Sequence, residues 1–224
     1  MTPLFNSVTC FAKMLFGKVA SGLLLSTFAA ALPSLKPRQA ASRLPLSTKG
    51  RDILDANGNI FQFASTNWPG HQELMIPEGL QHSSVKDIVA WFPKLGLNSV
   101  RLTFAIEMVD DYYSNNPNQT LEKTVMNVLG ETNGTIVLDQ ILEKNPGFTK
   151  EMTRLDVWDA IAEEFAAQNV IIHLDNHVSK AFWCCGENDG NGWFGEDYFD
   201  VDNWKRGLAF MAKHVSPAGT SRVF

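Results

Sequence analysis

The sequence has little of several things, and each shortage excludes something. No Lys/Arg cluster appears, and acids outnumber bases 24 to 19 for a formal net charge of −5. A general nucleic-acid binder needs a basic face, so that class is excluded. No uncharged apolar run reaches the roughly 18 residues that a membrane-spanning helix needs, so no membrane partner is expected. Three cysteines are too few for a disulfide scaffold. Charge is sparse at 19%, while hydrophobic residues reach 45% of 224 residues. A chain this apolar buries a core, so disorder over its whole length is excluded. The length suits one domain of ordinary size.

The N-terminus has the pattern of a secretory signal. Lys13 and Lys18 precede the uncharged stretch Val19 to Leu32, which is rich in Leu and Ala and ends in Ala29-Ala30-Ala31 before Pro33. A positive flank, a short apolar segment and an Ala-x-Ala site predict cleavage after Ala31 and an extracellular protein. Residues 32–44 read as a linker or pro-segment, and 45–224 as the folded part. Asn118-Gln119-Thr120 and Asn133-Gly134-Thr135 match the N-glycosylation pattern, making Asn118 and Asn133 candidate acceptors. Cys10 leaves with the signal. Cys184 and Cys185 remain, adjacent, and adjacent cysteines are expected to pair elsewhere or stay free.

Beyond the linker, strands alternate with helices. Ile53 to Phe61 predicts a hairpin turning at Asn57-Gly58, with the second strand running to Thr66. Ser83 to Leu95 carries Val85, Ile88, Val89, Phe92 and Leu95 at helical spacing, and Gly96 ends the helix. Leu97 to Phe104 predicts a strand. Thr153-Arg154-Leu155-Asp156 predicts a capping box opening a helix. Asn169 to Asp175 predicts a strand, and Asp200 a cap for a last helix. That order predicts parallel strands joined by crossovers, an α/β class. Residues 107–150 read as a long polar loop at the C-terminal edge of the sheet, where such folds bind ligands.

Candidate site residues lie at strand ends. Arg101 is a charge inside an apolar strand and needs a partner or a ligand. His173, Asp175 and His177 recur every second residue, so they share one strand face. Trp68, Trp183 and Trp193 lie in loops after strands, within segments containing Asn, Gly and Asp. Indole faces stack on sugar C–H faces while amides bind hydroxyls, although loop anchoring is the alternative. Trp91, Trp158 and Trp204 fall on helices and are expected in the core.

Gly96-Leu97-Asn98-Ser99-Val100-Arg101-Leu102 resembles the second-strand motif of glycoside hydrolase family 5. Val170 to His177 resembles its third strand, followed by Trp183-Cys184-Cys185 and Asp189 to Trp193; Phe63 to Gly70 is similar to the first-strand region of fungal members. The resemblance implies a secreted, cellulase-like retaining glycosidase that cleaves O-glycosyl bonds of a β-glucan-type polysaccharide or oligosaccharide. It implies no cofactor, no metal, and a monomer at full length. It implies a (β/α)8 barrel, of which this chain holds an N-terminal hairpin and three βα units. Arg101 would hold the nucleophile's carboxylate, while His177, Asn176, Trp68, Trp183 and Trp193 would line or support the sugar site. The family's acid/base Glu follows an Asn, and no Asn-Glu dipeptide occurs here. No catalytic residue is therefore assigned, and a truncated chain, poorly soluble and inactive alone, is expected. A complete barrel takes about 250 residues. Two alternatives remain: a non-catalytic sugar-binding protein, and a metallohydrolase with His173, Asp175 and His177 as ligands.

Overall fold

The computed structural model describes residues 43–114 and 119–214, so Asn118 and the proposed leader lie outside the described residues. A small antiparallel hairpin comes first, β1 (Ser47–Lys49) with β2 (Asp52–Leu54). The predicted turn at Asn57-Gly58 is present, but its ladder is a single bridge, Leu54 to Ile60. The Asp55 carboxylate explains why: it accepts from the backbone N–H groups of Asn57 and Asn59, both at 2.9 Å. A side chain thus closes the turn where strand pairing was expected. The strand predicted to run on to Thr66 begins only at Ser65 and belongs to a different sheet.

That second sheet is three parallel strands, β3 (Ser65–Pro69), β4 (Ser99–Ala105) and β5 (Ile171–Val178), with β4 in the centre. Asn67, Arg101 and His173 stand in one cross-strand row, and Pro69, Thr103 and Asp175 in the next toward the C-terminal edge. The register slips between Phe104 and Ala105, where β5 carries an extra residue. Such a bulge re-aims side chains at a strand end.

Between β3 and β4 lies α1 (Val85–Lys94), capped by Ser84, whose hydroxyl accepts from Asp87 N–H at 3.0 Å. Pro93 fits its last turn, and Gly96 ends it with φ at 74°. Residues 107–150, expected as a loop, are mostly helical: α2 (Ile106–Ser114) and α3 (Leu121–Lys144). The polar face hid a sparse apolar stripe, since Leu121, Val125, Leu138 and Ile141 are fully buried. At Gly130 the backbone leaves helical angles, so α3 is two helical pieces meeting at a kink. Asn145 then ties α3 down: its amide accepts from Val85 N–H and donates to the carbonyls of Leu80 and Ile141.

The predicted capping box opens α4 (Arg154–Ala167), with Thr153 and Asp156 bonded reciprocally. Asp200 caps α5 (Val201–His214) by accepting from Asn203 N–H at 2.7 Å. The core centres on Trp68, Phe92 and Phe165, whose rings meet edge to face. Trp158 is also core, but Trp91 is 57% exposed on the outer face of α1, against expectation. Among the described residues no helix is long and apolar enough to cross a membrane.

Two measurements test this packing. Phe165→Ala removes the central ring and is expected to cost about 3–5 kcal/mol in urea unfolding. His214 on α5 hydrogen-bonds Asp159 on α4 at 2.9 Å, and that bond raises its pKa from the ordinary 6.5 against opposing burial. A raised folded value means that the pair stabilises fully below pH 6.5 and stops doing so as pH rises through that value. Asp159→Asn should therefore lower the melting temperature at pH 5.5 and leave it nearly unchanged at about pH 9.

Candidate active site at the C-terminal edge of the sheet

Parallel strands place successive same-face residues in rows, and the rows nearest the C-terminal edge carry polar side chains. Arg101 Nη2 lies 2.8 Å from Asp175 Oδ2. The same oxygen is 2.9 Å from His177 Nδ1, and Arg101 Nη2 is 3.3 Å from that nitrogen. The shorter contact decides the tautomer: Nδ1–H of His177 donates to the carboxylate, and its Nε2 faces the other way. Arg101 thus finds the partner its position demanded, and it stands beside His177 on adjacent parallel strands.

His71 joins the group from the loop after β3, and sequence reasoning missed it. It is 5% exposed and its ring meets that of His177 at a tilt of 53°, with centroids 4.5 Å apart. Its Nδ1 lies 2.7 Å from Thr103 Oγ1, which also accepts from Gly70 N–H at 3.1 Å. Burial, more than the neighbouring His177, lowers the His71 pKa and keeps the ring neutral near pH 7. The available signal was the short spacing from the β3 strand end, which brings Gly70-His71 to the same edge as Thr103.

The loop after β5 is held by its own polar groups. Asn191, 2% exposed, accepts from the N–H groups of Ser179 and Lys180 and donates to the Lys180 carbonyl. Glu107 accepts from Ala181 N–H at 2.7 Å, and Glu196 from both Gly192 and Trp193 N–H at 2.8 Å. Cys184 and Cys185 are bonded to each other, which corrects the expectation that they pair elsewhere or stay free. The turn that joins them puts Cys185 at φ 81°. Cys184 Sγ lies 3.1 Å from Nε2 of His177. A cavity of ≈ 180 Å³ opens between His177, the disulfide, Asn191 and Trp193.

The remaining candidates separate. Trp183 and Trp193 are 74% and 75% exposed, with faces open to solvent. Trp68 is 6% exposed and its indole N–H donates to the Glu78 carbonyl, so it is core and cannot stack on a sugar. Asn176 is structural: its amide donates to the Val178 carbonyl and accepts from the indole of Trp204, a residue expected only in the core. His173 stands in the row with Arg101, one row below Asp175. The proposed His173–Asp175–His177 ligand set does not form, because Asp175 is engaged by Arg101 and His177. Among the described residues, the donor atoms that converge are those of His71, His177 and Cys184. Asn133 is exposed, within the second piece of α3.

No family model matches the chain. A glycosyl hydrolase 5 family protein of Chamaecyparis obtusa is 36% identical over 175 residues, covering 77% of this chain and 30% of that relative. The catalytic domain of the major endoglucanase from Xanthomonas campestris pv. campestris is a structural neighbour with TM-score 0.58 and 19% identity, over 80% of this chain and 43% of that one. An endocellulase from Pyrococcus horikoshii complexed with cellotetraose gives 0.56 and 19%, over 80% and 41%. At such identities the structural matches speak for the fold. The chain spans about a third of the curated relative's length and under half of these structures. The likeness to glycoside hydrolase family 5 is therefore found, and the partial coverage fits an N-terminal portion.

One prediction follows from Asn191. Asn191→Ala leaves the buried Ser179 N–H unpaired, at about 1–3 kcal/mol, and frees the part-buried Lys180 N–H and carbonyl, which water can reach. Hydrogen exchange should accelerate at Ser179 and Lys180 and through the loop to Tyr198, while β3 keeps its protection.

Proposed function

We propose that this chain, similar to glycoside hydrolase family 5, forms the first three βα units of a (β/α)8 barrel in a secreted, cellulase-like glycosidase. The observation that carries the reading is the Arg101–Asp175–His177 cluster, at the edge where parallel α/β folds bind ligands. The substrate is a β-linked polysaccharide or oligosaccharide. Arg101 presents a guanidinium, 39% exposed, that can hold a carboxylate ionised and oriented. His177 is kept in one orientation by Asp175, so its ring offers a fixed polar edge to a sugar hydroxyl. Trp183 and Trp193 supply apolar faces for the C–H side of sugar rings.

Retaining hydrolysis needs two carboxyl groups about 5 Å apart, one as nucleophile and one as acid/base. Three of the carboxylates at this edge have other work. Asp175 holds Arg101 and His177, while Glu107 and Glu196 accept backbone N–H groups of the loop. In this reading the reacting carboxylates belong to other parts of the barrel, and this segment binds and orients. Non-catalytic sugar binding is the second reading, favoured by the two exposed indoles.

The test compares the 224-residue chain with a protein extended to a whole barrel. Both are assayed on aryl β-glucosides, carboxymethyl-cellulose and mannan, with cellotetraose binding followed by calorimetry. The longer protein should turn over a β-glucan substrate, and Arg101→Ala should lower its kcat/KM by about 10²-fold or more, the scale of losing electrostatic support for a reacting group. Binding without turnover in both forms would favour the second reading. Turnover by the 224-residue chain, abolished by changing one of its own Glu or Asp residues, would overturn the assignment of roles. Secretion is tested separately: N-terminal sequencing of exported material should begin between Ala30 and Ala41.

A further inference from the structure

Two imidazoles and a sulfur converge outside the strand ends. Each ring has Nδ1 committed to an oxygen: His71 to Thr103 Oγ1 at 2.7 Å, and His177 to Asp175 Oδ2 at 2.9 Å. Each Nε2 is left over. That of His71 is buried with no hydrogen-bond partner, and that of His177 lies 3.1 Å from Cys184 Sγ. A buried, unpartnered ring nitrogen is costly unless something occupies it. Metal-bound histidines carry this same arrangement, with the outer nitrogen hydrogen-bonded to a carboxylate or other oxygen that fixes the ring and raises its basicity. Here Arg101 in turn fixes the carboxylate.

Donor atoms of His71, His177 and Cys184 all lie within 4.8 Å of one another. Ligands of a tetrahedral zinc, at about 2.0–2.3 Å from the metal, stand roughly 3.3–3.8 Å apart, so closure needs side-chain shifts of about 1 Å. One obstacle remains. Cys184 is bonded to Cys185, and a disulfide sulfur is no thiolate.

We propose that reduction of the Cys184–Cys185 disulfide creates a zinc site, with Nε2 of His71, Nε2 of His177 and the Cys184 thiolate as ligands and water in the fourth position. Cys185 is exposed, so a reductant can reach the bond. A phosphine with water supplies the two electrons and two protons that yield two thiols, and it leaves as phosphine oxide. Zinc then displaces the Cys184 thiol proton into solvent. Two histidines, one cysteine and one water form a ligand set that zinc accepts. The proposal rests on this geometry and not on glycosidase activity. Its readout is metal content, so its failure is distinct from failure of the sugar reading.

The experiment uses the 224-residue chain, oxidised and phosphine-reduced, incubated with zinc and desalted. Reduced protein should retain about one zinc per chain and oxidised protein none, and cobalt in place of zinc should show thiolate-to-metal charge-transfer absorption. Cys185→Ser frees the Cys184 thiol and should bind zinc without reductant. In that background, His71→Ala should weaken binding at least about tenfold, and Asp175→Asn by about 10–100-fold. Circular dichroism checks that each variant folds, and the reduced and oxidised wild type decide the matter if one does not. Reduced protein without zinc, or zinc retained equally by the oxidised protein, would overturn the proposal. So would zinc held undiminished in the folded His71→Ala variant.

Discussion

The parallel pairing of β4 with strands on both its sides is the constraint from which the rest follows. Parallel neighbours cannot be joined by tight turns, so each connection must climb back over the sheet. One return is α1. The other takes in α2, α3 and α4, and it brings Asp111 of α2 to the buried guanidinium of Arg154 at 2.6 Å. Burial of Val100, Leu102 and Phe104 anchors β4, and their alternation leaves Arg101 and Thr103 on the opposite face. The site is the polar row of a strand whose other row is core.

Asp175 shows how one atom organises that row. Its Oδ2 receives both the Arg101 guanidinium and the His177 ring, so two side chains from different strands are set by a single acceptor. A charge partly shielded from water needs such a partner, and pairing here also fixes geometry. The bulge at the end of β5 lies beside this atom, where regular pairing would have continued past the site.

Legibility in the sequence followed the range of the interaction. The helix start at Thr153 is a local hydrogen-bond pattern, readable from spacing, and it lies where expected, while the cap at Ser84 falls one residue after the helix start expected at Ser83. Arg101 and His177 were readable because each lies in a periodic strand with a clear edge. Residues 107–150 were misread because helices packed by one narrow stripe look polar throughout. Trp68 was misread because its role depends on Phe165, almost a hundred residues away. His71 carried no periodic signal, since its position depends on Thr103 across the sheet. The Cys184–Cys185 bond ran against the usual spacing of disulfides, and only the turn at Cys185 makes it attainable.

The hydrogen bonds around Asn191 also bear on chemical ageing. An Asn followed by Gly deamidates when the glycine nitrogen attacks the side-chain amide, and this needs a free backbone N–H and a mobile side chain. Gly192 N–H is engaged by the Glu196 carboxylate, and the Asn191 amide is fixed at three points. The folded loop therefore withholds both reactants. If it opens, the conversion to aspartate replaces an N–H donor by a carboxylate facing the Lys180 carbonyl, and the loop cannot close in the same way again. The shelf life of this edge is set by how seldom the loop opens.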